Sequence, residues 1–120
     1  MKRILVIDDD RDILENTAEI LALSHYDVDV AGDGREGVQK ALEQRPDLIL
    51  CDIMMPELDG YGVLHMVQNN PLLQNVPFVF MSAKTEKEDL RRGMSLGADD
   101  YITKPFYPTD LLTALEGRLK

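Results

Sequence analysis

Five short apolar runs, each followed by a stretch with helical spacing, constrain this chain more than any other feature. The runs are RILVI (3–7), YDVDVA (26–31), DLILC (47–51), VPFVFMS (76–82) and DYITK (100–104). The stretch 10–24 sets Ile13, Leu14, Thr17, Leu21 and Ser24 along one helical stripe behind Asp10 as N-cap. The stretch 34–44 groups Val38, Ala41 and Leu42, and 59–70 opens with two glycines behind Asp59, another capping acid. A fourth helix is expected over 86–97, stopping at Gly97, and a fifth over 108–120 with Leu111, Leu115 and Leu119 turned inward. Strands alternating with helices predict an α/β fold, a doubly wound parallel sheet of five strands with five helices on its two faces. The wholly apolar first, third and fourth strands belong in the middle. The alternating second and the short fifth suit the edges, so the expected order is 2-1-3-4-5.

That order is flavodoxin-like, and 120 residues hold one such domain, 1–120. A formal net charge of −9, from 13 basic and 22 acidic residues, argues against nucleic acid or an anionic membrane as a direct partner. The start MKRILVIDDD is too short in its apolar part for a signal peptide, and no segment has the length of a membrane span. Cys51 is the only cysteine, so no internal disulfide can form, and its apolar surroundings make it a small buried hydrophobe. Together these features predict a cytoplasmic protein. His25 and His65 lack the neighbours of a metal or catalytic site, and the methionines read as core and loop fillers.

The central strands end on acids, and that needs a reason. In an open α/β sheet, ligands gather at the carboxyl ends of the strands beside the switch point. Asp8 and Asp9 follow the first strand there, Asp52 the third, Ser82 the fourth and Lys104 the fifth. Two carboxylates about 4 Å apart repel by roughly 4 kcal/mol at an effective dielectric near 20, so three need cations. Lys104 supplies one charge, and a hard divalent ion with oxygen ligands supplies the rest. Mg²⁺ suits because it takes few carboxylates and keeps positions for water and phosphate oxygens. A lysine, a serine hydroxyl and Mg²⁺ together complement a phosphoryl group, and an aspartate can accept one as an acyl phosphate. Asp52, alone at its strand tip, is the candidate acceptor.

At these residues the sequence resembles a response-regulator receiver domain of bacterial two-component signalling, along its whole length. VIDDD places the family's acidic pair on Asp8 and Asp9. CDIMMPELDG places the phosphoacceptor on Asp52, MSA the hydroxyl on Ser82, and GADDYITKPF the switch aromatic on Tyr101 and the lysine on Lys104. The resemblance implies that Asp52 takes the phosphoryl group from the phosphohistidine of a sensor histidine kinase or phosphotransfer protein. It implies Mg²⁺ held by Asp9, Asp52 and the backbone carbonyl of Met54, with Asp8 reached through water. Ser82 and Lys104 would grip the phosphoryl oxygens, Tyr101 would turn inward behind Ser82, and the surface of the fourth helix, fifth strand and fifth helix would change. A cis Lys104–Pro105 bond is also implied. Such a domain is a phosphoprotein that catalyses only its own phosphorylation and dephosphorylation.

The alternative is a haloacid-dehalogenase-type phosphatase, which also forms an aspartyl phosphate. Asp8-x-Asp10 would serve it, but Asp12 stands where that family has Thr or Val, and Asp99 and Asp100 precede Lys104 where they should follow. A flavin site fits worse, because the loop after the first strand is acidic where a flavin phosphate needs hydroxyls and amides. The output partner is unknown from the sequence, whether a separate protein or an output domain that is not in this chain. Receiver relatives that dimerise use a basic residue in the fourth helix and an arginine in the fifth, and here those positions fall on Leu90 and Ala114. The expectation is a monomer or weak dimer that presents this face, Leu90 included, to another partner.

Overall fold

The structure, a computed structural model, describes residues 1–83 and 87–119. Five strands, β1 (Arg3–Ile7), β2 (Asp27–Ala31), β3 (Leu48–Asp52), β4 (Phe78–Ala83) and β5 (Asp100–Lys104), form one parallel sheet in the order β2-β1-β3-β4-β5. Helices α1 (Arg11–Leu23), α2 (Gly34–Glu43), α3 (Gly60–Gln68), α4 (Lys87–Ser95) and α5 (Pro108–Arg118) connect and follow them. The expected fold class and strand order are both present. Glu86 and Lys120, assigned by pattern to the fourth and fifth helices, lie outside the described residues.

Alternation along each central strand sorts the core into two layers. Leu5, Ile7, Ile49, Cys51, Phe78 and Phe80 face α2, α3 and α4, where Val38, Val63, Leu64 and Leu90 meet them. Ile4, Val6, Leu48, Leu50, Val79 and Met81 face α1 and α5, where Leu14, Leu21, Leu111 and Leu115 meet them. All five residues of β3 are buried, as a central strand covered on both faces requires. β4 starts two residues later than its apolar run, because Pro77 has no N–H to give the ladder; its carbonyl still accepts from Ile49.

Local signals set the helix starts. Asp10 accepts from the amides of Asp12 and Ile13 at 3.0 and 3.2 Å, Asp33 from Glu36 at 2.8 Å, and Asp59 from Gly62 at 2.9 Å. Pro108 opens α5. Lys104–Pro105 is cis.

Two expectations about exposure fail. Leu42 is exposed, because the buried stripe of α2 runs through Gly34, Gly37, Val38 and Ala41 and turns Leu42 outward. Leu90 is only 3% exposed and cannot be offered to a partner. Among KEDLRRGMS it is the side chain that anchors α4 to the sheet, with Gly93 letting Phe80 come close. Leu90 still forms part of a groove with Lys87, Arg91, Met94, Tyr101 and Thr103, so this face also carries basic residues.

Gly60 joins this frame to the strand tips. A Cβ there would stand 2.5 Å from the Asp52 carbonyl oxygen and 2.8 Å from the Ile53 Cα, and neither backbone atom can give way. Gly117, in the last turn of α5, meets nothing within 4 Å. Gly60→Ala is expected to lower stability by about 1–3 kcal/mol through overpacking, whereas Gly117→Ala raises it by up to about 1 kcal/mol through helix propensity. Urea unfolding midpoints of the two variants check the contrast; equal shifts would contradict it.

Candidate functional site

The ends of β1, β3, β4 and β5 place the expected residues together because parallel strands in register finish at one level. Asp8 follows β1 and is wholly buried; its amide donates to Ala31 O, and its carboxylate accepts from the Asp10 amide at 2.9 Å. Asp52 closes β3 and is buried, opposite Met81 in the register, and Ser82 stands one residue beyond Met81, also buried. Lys104 closes β5 and reaches back across the sheet. Its Nζ lies 3.0 Å from Asp8 Oδ2 and 3.2 Å from Asp52 Oδ1.

The carboxylates converge as the sequence implied. One oxygen from each of Asp8, Asp9 and Asp52 lies within 4.8 Å of the others, with Asp9 the exposed member. Burial first, and the charge of Asp8 second, push the Asp52 carboxyl up to about 6, against the pull of Lys104. For Lys104, burial works to lower the ammonium, but Asp52 and Asp8 outweigh it and hold the group above its usual value. One lysine thus leaves the acids short of positive charge. The donor set, all carboxylate oxygens with an exposed mouth at Asp9, is hard and suits Mg²⁺. Met54, on the loop after Asp52, is 58% exposed.

Tyr101 is not gathered in. It is 45% exposed on the edge strand β5, away from the buried Ser82. Cys51 is fully buried, and its thiol is pushed well above its usual value by burial first and by the charge of Asp52 next. It behaves as the apolar residue the sequence suggested. Asp10, which the phosphatase reading needs as a second catalytic acid, is spent on capping α1.

Sequence reasoning missed one feature. Tyr61 spans from α3 to α4: its hydroxyl donates to the Asp89 carbonyl at 2.6 Å, and the Arg92 guanidinium carbon lies 4.7 Å from the centre of its ring. A tyrosine two places after the α3 cap and an arginine in α4 gave no sign of meeting, since contact between separate helices leaves no local spacing. The Lys104–Asp8 contact, by contrast, joins residues 96 apart in the chain that the shared level of the strand ends had already brought together.

Comparison with known proteins agrees with this geometry. The family described as the response regulator receiver domain matches residues 4–116. The alkaline phosphatase synthesis transcriptional regulatory protein PhoP of Bacillus subtilis is 40% identical over 119 residues, 99% of this chain and 49% of its own length. The DNA-binding response regulator MtrA of Mycobacterium tuberculosis is 39% identical over 99% of this chain and 51% of its own length. The chain therefore spans about half the length of these curated relatives. Among solved structures, the chemotaxis protein CheY4 of Vibrio cholerae superposes with a TM-score of 0.93 at 31% identity, covering 99% of both chains.

The raised Asp52 carboxyl has a consequence for stability. In the unfolded chain this group titrates near 3.8, in the fold near 6. Between those values the folded protein binds the extra proton, so Asp52 removes stability as pH rises through that window. In chelator, the urea midpoint of Asp52→Asn is expected to gain on wild type as pH climbs from 3.8 to about 6, then to hold its lead. A difference that stays constant over that range would refute the assignment.

Proposed function

The chain belongs to the response regulator receiver domain family, whose members are phosphoryl-accepting signalling switches, and on that footing we propose which of its residues carry the switch. Residues 1–120 make up one receiver domain, and Asp52 is its phosphoacceptor. A carboxylate oxygen of Asp52 attacks the phosphorus of a phosphohistidine on a sensor histidine kinase or phosphotransfer protein. The new P–O bond forms as the P–N bond breaks, and the imidazole leaves with its electron pair and takes up a proton. The observation that carries this reading is the convergence of Asp8, Asp9 and Asp52 around a lysine that cannot balance all three.

Mg²⁺ would be held by Asp9, Asp52 and the Met54 carbonyl, with Asp8 through water, and when bound it supplies positive charge to the phosphoryl oxygens. Lys104 is already aimed at Asp52 and turns from carboxylate to phosphoryl oxygen as the group arrives. Ser82 donates its hydroxyl to a second oxygen. Its movement leaves room for Tyr101, half exposed in this structure, to turn inward from β5. The groove between α1 and the turn after β5, about 360 Å³ and lined by Ile13, Asn16, Pro105 and Phe106 beside Lys104, supports docking of the donor there. The chain catalyses only the gain and loss of this one phosphoryl group. No described helix is long and apolar enough to cross a membrane, which supports a place in the cytoplasm. The relatives' names, transcriptional and DNA-binding, support an output domain or separate output partner as the recipient of the signal.

Acetyl phosphate with Mg²⁺ should add one phosphoryl mass to the chain, and Asp52→Asn should abolish it; labelling of that variant at the wild-type rate would end the reading. Mg²⁺ at a hundred times its dissociation constant should stabilise the fold by about 2.7 kcal/mol. The rise in melting temperature should be smaller in Asp9→Asn, which without metal should melt above wild type because one repelling charge is gone. A flat Mg²⁺ titration would exclude the metal assignment.

A further inference from the structure

α4 is thinly attached. Of its residues KEDLRRGMS only Leu90 and Gly93 are buried, while α3 buries Gly60, Val63, Leu64 and Val67. Among the described residues, Gln68 Nε2 donates to the Leu96 carbonyl just past its end at 2.8 Å, and Tyr61 holds the helix itself. The start of α3 is fixed to the phosphoacceptor strand, because the Gly60 amide donates to Ile53 O at 2.8 Å and its Cα lies against the Asp52 carbonyl. From the next residue, the Tyr61 ring meets Phe80 of β4 edge-on at 5.7 Å, two residues before Ser82. Its hydroxyl donates to the Asp89 carbonyl at 2.6 Å, and Arg92 lies over its face. One side chain therefore touches the strand that carries Ser82 and two points on α4, from a base that is rigid with Asp52.

We propose that Tyr61 is a latch: it holds α4 in the arrangement seen here and so opposes the switch driven from Asp52. The proposal rests on the reading of Asp52 as phosphoacceptor and adds what sets the resting balance. An O–H···O bond of 2.6 Å does not survive a displacement of more than about 1 Å, since such bonds are confined to roughly 2.5–3.0 Å. The cation over the ring is likewise lost when α4 slides past α3. Both interactions favour one position of α4 over any other, which is the condition for biasing a two-state element. Tyr61 touches no reacting atom. It is a positioning residue that acts through α4 and Phe80.

The test uses the whole chain with Mg²⁺ and beryllofluoride, a phosphoryl mimic, titrated while α4 amide signals are followed. Wild type must first saturate; if it does not, the phosphoacceptor reading fails, and that failure is separate from the latch. Given saturation, Tyr61→Phe keeps the ring and loses the hydroxyl bond. It should saturate at about fivefold lower beryllofluoride, matching one lost hydrogen bond. Its α4 amides should exchange faster without ligand. Arg92→Gln, which leaves the hydroxyl in place, should shift saturation the same way by a smaller factor. A residue that served stability alone would lower the unfolding midpoint and leave the half-saturating concentration where it was. Wild-type or weaker beryllofluoride binding in both variants would overturn the latch.

Discussion

The bridge from Lys104 to Asp8 and Asp52 is the interaction on which the rest of the molecule depends. It crosses the sheet, joining a residue at the edge strand β5 to the tips of β1 and β3, and it makes a buried pair of acids tolerable. Neither acid could stay ionised there alone, since an unpaired buried charge costs several kcal/mol. The bridge is incomplete by design of the sequence. One ammonium faces Asp8, Asp52 and the nearby Asp9, and the raised Asp52 carboxyl is the sign that it does not suffice. A site left short of positive charge is one that could hold a cation, the property on which the proposed function rests.

Everything that sets this bridge follows from the fold. Parallel strands in register end at one level, and the central ones are buried on both faces, so a polar residue at their tips enters a crevice with low-dielectric walls. The same walls hold Cys51 as an inert thiol directly before Asp52. Asp10 and Asp59, which stand near the site in sequence, are drawn off to cap helices and take no part in it.

The sequence made the sheet order and the convergence of three strand-end acids legible because both are written locally. Strand character is a matter of neighbouring residues, and the acids are read from their place at strand ends. Mg²⁺ ligation by Met54 and the inward turn of Tyr101 came only from family resemblance, since no spacing in the chain requires either. What local reading got wrong was which way side chains face on a short polar helix. Leu90 was assigned outward by alignment with relatives that carry a charge there, but α4 has so few apolar residues that it must use Leu90 as its anchor. Leu42 failed for the opposite reason: next to Ala41 and Val38 it looked like part of the stripe, but glycines complete that stripe by letting Ile7 approach Gly37. Tyr61 was silent because its partners lie 28 and 31 residues away in another helix.

On the proposed reading, these two sides of the molecule, the charged crevice and the lightly held α4, are coupled in a way that thermodynamics makes reciprocal. Whatever the phosphoryl group does to α4, a partner that prefers the displaced α4 must do to Asp52 by the same factor in affinity. The size of that factor is limited by what differs between the two arrangements, and on the α4 side the contacts among the described residues are modest ones such as a hydroxyl bond, a cation over a ring and the close approach of Gly93 to Phe80. A coupling built from such parts is of order 1–3 kcal/mol, enough to shift populations severalfold to a hundredfold and too little to lock either state. With Asp52 as the proposed acceptor, signal strength would be set as much by how weakly α4 is fastened as by how strongly Asp52 binds its phosphoryl group.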